Sequence, residues 1–510
     1  MSSKKPNILV IMTDQQRPDT IAALGNPIIK TPTLDRLVRE GTSFRRNYCP
    51  SPVCGPARHA IATGVPPHLG RKVENMPPLR SDLTSYSKEL HNIGYQTFCS
   101  GTLNYHKEVY DEQVEPKYDY PKWFKEQGIT HTVQPVGRTS EYYYIPQPMT
   151  VEEKYSKTHF IADNAIRFLN DRDADRPFHL EVHFGKPHPP WGIPFPWHYL
   201  YRSYEMPYVN RPANYRDYQC RANRYQNRYK FMEDACKGDD TLLRTIWAGY
   251  YAMISYVDSQ IARILETLGE EIDNTLVIFT CDHGEMLGDY GCVGKRCMLE
   301  PSVRVPMLVR LPGFMPEGHE VRAASGTIDM MPTIMDAVGL PVPEQCSEGI
   351  SLREVAGMQA GERIVYSQIS RIWNGQYCAA DGIGTYAYSA ADKREWYFNV
   401  GDELDQGPIL QLDERGNKLK ASLIERHKDD EFSDAVEDGD WKDHEVPQNM
   451  IETDPDYGLL YAEPKEEIQA AVDSLGPDYA RDVTSYNHGH TMADHLTWFN
   501  KEDEAKWTRP

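Results

Sequence analysis

Apolar positions along the chain fall into two patterns that alternate. Residues 7–13, NILVIMT, are an unbroken apolar run, the signature of a strand buried on both faces. The run ends in a polar cluster, Asp14, Gln15, Gln16 and Arg17. Residues 31–41, TPTLDRLVREG, place apolar side chains at helical spacing, with a threonine cap, Pro32 in the first turn and a closing glycine. Residues 81–94, SDLTSYSKELHNIG, repeat that grammar, and 95–100, YQTFCS, read as a strand. The pattern then predicts a helix over 155–172, a strand over 177–185 and a long helix over 241–269. TLVIFTCDHG at 275–284 is a buried strand that runs into polar residues, and VRVPMLVRLPG at 303–313 is another. IDMMPTIMDAVG at 328–339 closes the series.

Strands alternating with helices predict an α/β fold with a mostly parallel sheet flanked by helices. Such sheets bind ligands outside the carboxyl ends of their strands. Asp14 lies just past one such end, and Asp282 and His283 lie past another, so the fold class places distant residues on one rim. After residue 350 the strands become shorter and partly alternating (RIVYSQIS, QYCAADGIGTYAYSA, REWYFNV), as in a small antiparallel sheet. This divides the chain into an α/β unit at 1–350 and a smaller unit at 351–510, with 404–460 as surface helix and loop. Irregular, Tyr-, Pro- and Arg-rich stretches at 107–150 and 190–235 read as insertions over the rim. No internal repeat is visible.

Composition narrows the function. The 510 residues are 40% hydrophobic and 25% charged, which suits a folded chain with a large core. A formal net charge of -20 argues against nucleic-acid binding through a general phosphate field. The first apolar run is too short for a signal-peptide core, and no stretch approaches the roughly 20 apolar residues of a membrane helix. The chain as given therefore reads as cytoplasmic, or as periplasmic or secreted if a leader has been removed. Ten scattered cysteines without a CxxC pair favour reduced thiols.

Two clusters carry candidate chemistry. Asp14, Gln15, Asp282 and His283 supply three oxygen-bearing side chains and an imidazole for one divalent cation. Such a set suits calcium or magnesium and leaves manganese or zinc open. The plainer alternative is that aspartates at strand ends cap the next helix. The second cluster is PVCGPARHAIATG at 52–64. Cys54 stands at the mouth of a helix, where free N–H groups and the positive dipole end favour an anion, and Arg58 adds a cation one turn in.

Cys54-Gly55-Pro56-Ala57-Arg58 resembles the C-x-P-x-R signature of the type I sulfatases of the alkaline-phosphatase superfamily. NILVIMTDQQRPDTIAALGN, KTPTLDRLVREGTSF, FGKPHPPW and FTCDHGEMLGDYGCVGK followed by EPSVRVPMLVRLPG resemble further blocks of that family, in its order, over roughly residues 6 to 340. The resemblance implies an alkaline-phosphatase-like fold and a cysteine converted by a formylglycine-generating enzyme to formylglycine (3-oxoalanine), whose hydrate is the nucleophile. It implies that Asp14, Gln15, Asp282, His283 and the converted Cys54 meet the metal, with calcium expected first. Arg58 would orient the nucleophile, and Lys295 and His188 would contact the transferred group or leaving oxygen. Asn75 resembles a substrate-binding asparagine. The implied reaction is covalent hydrolysis of a sulfate ester, from a sulfated sugar or small molecule, with release of sulfate.

Two departures matter. Where many members carry G-K-x-H, this chain reads SGTLNYHKE, so Thr102 stands in place of the lysine, and Asn104 or His106 in place of the histidine. Gln15 replaces the second aspartate of the commoner pair. Both features lean toward the phosphonate monoester hydrolases and phosphodiesterases, which also show C-G-P-A-R, D-Q and a PHPP block and form the alternative reading, although many polysaccharide and choline sulfatases also read T-D-Q. An inactive anion-binding homologue is a further alternative. Residues 210–231 carry Arg211, Arg216, Arg221, Arg224, Arg228 and Lys230 among tyrosines, read as a solvated or subunit-facing helix in preference to an anion-binding lid. HGHTMADH at 488–495 reads as a surface loop, and Cys281 and Cys297 as packing. A homo-oligomer is left open.

Overall fold

The structure, a computed structural model, describes residues 5–75, 80, 82–102, 109–130, 144–230, 232–238, 240–400 and 412–445. Eight strands form the central sheet: β1 (Asn7–Asp14), β2 (Thr42–Phe44), β3 (Gln96–Gly101), β4 (Glu112–Val114), β5 (Phe178–Pro187), β6 (Thr275–Cys281), β7 (Met307–Arg310) and β8 (His319–Val321). Their order in space is β8-β2-β7-β6-β1-β5-β3-β4. β6, β1, β5, β3 and β4 run parallel, while β7 runs antiparallel to β6 and β2. The architecture is the α/β fold expected, with the carboxyl ends of five adjacent parallel strands on one rim.

The unbroken apolar runs have a direct cause. Leu9 and Ile11 of β1 join Leu180, Val277 and Phe279 in one buried cluster, with apolar residues of helices α1 (Pro32–Glu40), α3 (Lys157–Asp171) and α5 (Thr241–Leu268). The alternate residues Ile8, Val10, Met12 and Ile278 enter a second cluster with α2 (Cys54–Thr63) and α6 (Met330–Val338). Strands covered by helices on both faces bury every side chain, so alternation disappears. At about 25 cal/mol per Å² of apolar surface, burial of these two layers is a large part of the drive to fold.

Several local expectations differ from the outcome. Thr31 does not cap α1: its hydroxyl accepts from Ala22 N at 2.9 Å and donates to Asp35 at 3.1 Å. The carboxylate of Asp258, from α5, takes the Thr33 and Leu34 N–H groups instead, at 3.1 and 2.8 Å. The strand expected over 303–313 is confined to β7, because Glu300–Val303 forms a helical turn before it. The described part of 107–150 does not lie wholly over the rim: it supplies edge strand β4 and helix Asp119–Glu126, whose Tyr120, Trp123 and Phe124 pack on the first cluster.

In the C-terminal part, β9 (Val365–Ile369), β10 (Gln376–Ala380), β11 (Gly384–Ser389) and β12 (Arg394–Asn399) form an antiparallel sheet in that order, with α7 (Glu414–His427) against it. One buried cluster joins Val365, Ile369, Cys378 and Trp396 of this sheet to Val53, Cys281, Cys297 and Val303 of the first part. All ten cysteines are buried and free. Among the described residues no helix is long and apolar enough to cross a membrane. The histidines at 488–495 lie outside the described residues, as do Asn104 and His106.

Candidate active site

Four adjacent elements deliver the site. β1 ends at Asp14, and Gln15 turns back in the left-handed region (φ 68°), a strain of about 1–3 kcal/mol for a side-chain-bearing residue. β6 ends at Cys281 and hands on Asp282 and His283. α2 points its N-terminus at both, with Cys54 as its first residue; Val53 offers no side-chain cap, and Asn75 takes the Gly55 N–H while Ala57 N bonds the Val53 carbonyl. The turn after Gly294 brings in Lys295.

Cys54 Sγ lies 3.1 Å from His283 Nε2 and 3.8 Å from Asp14 Oδ1, and Lys295 Nζ donates to it at 3.1 Å. One donor atom each from Asp14, Cys54, Asp282 and His283 falls within 4.8 Å of the others. Arg58 is buried between the two acids, its Nε on Asp282 at 2.8 Å and its Nη2 on Asp14 at 3.1 Å. His283 Nδ1 faces the Gly284 carbonyl at 3.2 Å. A carbonyl only accepts, so that nitrogen holds the proton and Nε2 presents a lone pair.

The electrostatics are those of a crowded anionic pocket. Burial and the Asp282 charge push Asp14 up to about 6. Asp282 is held well below the usual carboxylate range because its neighbours His283, Arg58 and Lys295, with the Arg58 hydrogen bond, outweigh its burial. Burial keeps His283 neutral, down to about 3, and burial with Asp14 lifts the Cys54 thiol to about 12. Lys295 is raised despite burial, by Cys54, Asp14 and Asp282.

The residues present fit a cation. Gln15 Oε1 is buried without a hydrogen-bond partner, while its amide nitrogen donates to Glu285 Oε2 and to Tyr144 OH at 3.3 Å. Glu285 is fully buried, and Tyr144 OH, Leu287 N and Gly294 N also donate to it. A carboxylate can only accept, so Glu285 fixes which end of the Gln15 amide is nitrogen and leaves the oxygen for another ligand. Three oxygens and one imidazole suit a hard divalent ion.

The remaining expected residues are placed as follows. Asn75 Oδ1 accepts from Gly55 N at 3.0 Å, beside the mouth of α2. Thr102 meets the site through its carbonyl, which Arg58 Nη1 reaches at 3.2 Å and His183 Nδ1 at 3.0 Å. His188 follows β5 in a turn with cis bonds before Pro187 and Pro190, and its Nδ1 is bonded to the Pro189 carbonyl. Cys281 accepts from Gln16 N at 2.8 Å and packs beneath the acids. Glu285 and Tyr144 were not singled out by sequence. Glu285 stands three residues after Asp282, inside the FTCDHGEMLGDYGCVGK block, and only the fold brings it to Gln15.

The sulfatase family model matches residues 6–340. An arylsulfatase of Clostridium perfringens is 28% identical over 434 residues, covering 78% of this chain and 87% of that protein. The multifunctional alkaline phosphatase superfamily protein PehA of Trinickia caryophylli is 29% identical over 395 residues, covering 68% and 76%. The fold is similar to the solved phosphonate monoester hydrolase of Agrobacterium radiobacter, with a TM-score of 0.69 at 23% identity over 84% of this chain and 95% of that one. With the matched region spanning both strand-end clusters and the helix that carries Cys54, the chain belongs to the sulfatase family of the alkaline-phosphatase superfamily.

Proposed function

We propose that the protein hydrolyses sulfate monoesters with a nucleophile made from Cys54 and one bound divalent cation, calcium first among the candidates. The observation that carries this is the seat of Cys54: a helix N-terminus, with Lys295 Nζ and His283 Nε2 each 3.1 Å from its sulfur, and half-buried Asp14 and buried Asp282 beyond. A buried thiol raised to about 12 is a poor nucleophile as it stands, which agrees with conversion by a formylglycine-generating enzyme.

Asp14, Gln15, Asp282 and His283 would hold the cation, which supplies positive charge against the non-bridging oxygens of the ester. A hydrated aldehyde at position 54 supplies an attacking hydroxyl and a second one whose deprotonation expels the transferred group. Arg58, pinned by two carboxylates and the Thr102 carbonyl, cannot swing away, so its charge is preorganised. Lys295 reaches the same atom from the opposite element and balances charge that builds there. His188 Nδ1 is committed to the Pro189 carbonyl, which fixes the ring, and its Nε2 would serve the leaving group. Thr102 brings no cation where many relatives carry a lysine.

The phosphonate monoester and phosphodiester reading stands second, favoured by Gln15 and Thr102. The maturation step is tested by the mass of the peptide holding residues 52–58, read beside turnover of an aryl sulfate. An aldehyde-bearing peptide together with sulfate release is expected. Sulfate release at equal rate from protein whose Cys54 is wholly unmodified would overturn the nucleophile.

A further inference from the structure

Helix α4 (Arg221–Tyr229) and the residues after it press against the loop that carries Lys295. Asn227 bridges that loop, donating to Gly291 O at 2.7 Å and accepting from Val293 N at 2.9 Å. Gln219 donates to Tyr290 O and Gly291 O at 2.8 and 3.0 Å. Of the described basic side chains of 210–231, Arg211 pairs with Asp240 and Arg224 faces Asp392. Lys230 does not follow them. It turns inward, 7% exposed, much as closed as Cys54 at 7% and Lys295 at 9%.

The surroundings of this ammonium lack a matching carboxylate. Its Nζ donates to Gln226 Oε1 and lies 5.0 Å from the centre of the Tyr144 ring. Among the described residues no carboxylate stands within ion-pair distance of it. Glu285 acts on it only through its field, since both Glu285 oxygens are taken by Gln15, Tyr144, Leu287 N and Gly294 N. The buried guanidinium groups nearby are treated differently: Arg17 holds Asp19 and Asp289, Arg58 holds Asp14 and Asp282, and Arg296 holds Glu74. Gly294 makes the room, because a Cβ there would stand 2.5 Å from Lys230 Nζ. Burial, with the Lys295 and Arg296 charges behind it, brings this amine down to about 7, and an arriving anion would restore its charge by pairing with it.

Position gives the anion's origin. Tyr144 joins Lys230 to Gln15 through its hydroxyl, and to Trp191, at 4.9 Å between ring centres, in the turn that carries His188. Lys230 thus stands one ring away both from Gln15 and from the turn that carries His188. We propose that Lys230, cradled by Gln226, Tyr144 and Gly294, forms a second anion subsite for sulfate esters whose leaving group carries an acidic group of its own. The inference rests on the sulfate-ester reading and narrows its substrate class: dianionic esters are preferred over esters with neutral leaving groups. It also places a cation, from an inserted helix, in a site that has Thr102 where many relatives carry lysine.

The test is binding, which needs no turnover and so does not depend on conversion of Cys54. Calcium-loaded full-length protein is titrated with para-carboxybenzenesulfonate and para-carbamoylbenzenesulfonate, which differ in one charge and cannot be hydrolysed. The wild type is expected to bind the carboxylate about tenfold or more tightly than the amide. Lys230→Met should bring that ratio near one, and Lys230→Arg should keep most of it. Thermal unfolding of each variant confirms a folded protein, and if Lys230→Met does not fold, the wild-type ratio decides. Equal binding of the two sulfonates by the wild type, or an unchanged ratio in Lys230→Met, overturns the subsite and leaves the sulfate-ester reading standing. Failure to bind either sulfonate overturns that reading and the subsite with it.

Discussion

At the scale of single residues, the site separates one thiol from nine others. Cys281 is at least as buried as Cys54 and its sulfur meets Asp282 at 3.6 Å, yet it sits behind the site, with Gln16 N on its sulfur. Cys54 faces Lys295 and the helix mouth. Cys54→Ala is therefore expected to lower kcat about a thousandfold or more, whereas Cys281→Ala keeps most activity; aryl sulfate turnover of the two variants decides. Glu285 is the other residue that matters here. By holding the Gln15 amide nitrogen, it directs Oε1 outward. Glu285→Gln replaces an acceptor by a group that can also donate, so the Gln15 amide is free to flip. Calcium affinity, measured by titration calorimetry, should fall about 10- to 100-fold; unchanged affinity would show that the amide is held by Tyr144 alone. Cys54 and Arg58 were legible in the sequence because both lie on one helical turn. Glu285 was not, because its partner is Gln15, 270 positions away, and no local pattern marks that meeting.

At the scale of elements, the strands were readable because two-sided burial leaves unbroken apolar runs, and the helices because their apolar spacing is regular. The caps were less readable, since a tertiary partner can replace a local one. α1 shows this: Asp258 from α5 caps it, and Thr31 turns elsewhere. Burial outweighs the two N–H bonds and pushes Asp258 up to about 6, above its ordinary 3.8. A carboxyl with a raised folded-state value favours folding when protonated, so its contribution is full below about pH 4 and is lost as pH rises through 6. Asp258→Asn removes that slope. Urea unfolding at pH 4.5 and 6.5 should show the wild type losing stability relative to the variant as pH rises; a constant difference would mean the carboxylate is ionised throughout. Strand β3 carries a second element-scale prediction. Gly101 has φ 143°, and a Cβ there would run into the backbone of His183 on β5. Gly101→Ala should destabilise the fold by about 1–3 kcal/mol and lower kcat, because it displaces the Thr102 carbonyl that Arg58 uses; chemical denaturation and turnover read the two effects.

At the scale of the whole molecule, the C-terminal sheet is part of the site's support. Its Gln376 donates to the Arg296 carbonyl at 3.0 Å, next to Lys295, and its apolar face completes the cluster that holds Cys281 and Val53. Removing residues after 350 would strip Val365, Ile369, Cys378 and Trp396 from that cluster and bare its other half. The shortened chain is expected to aggregate on expression, and recovery of a soluble, active 1–350 fragment would contradict this. The sequence pattern located this sheet but not its bracing role, which arises from contacts between distant strands. The same holds for the basic insertion, whose composition suggested solvent and whose Lys230 turns inward.

The central claim is that Cys54 and its surroundings serve a sulfate ester. The most direct measurement compares kcat/KM of the calcium-loaded, aldehyde-bearing protein on an aryl sulfate, an aryl phosphonate monoester and a phosphate diester with one common leaving group. The account predicts the highest value for the sulfate, with loss on Cys54→Ala. A higher value for either phosphorus ester would contradict it and would make Gln15 and Thr102 the marks of a phosphonate or phosphodiester hydrolase.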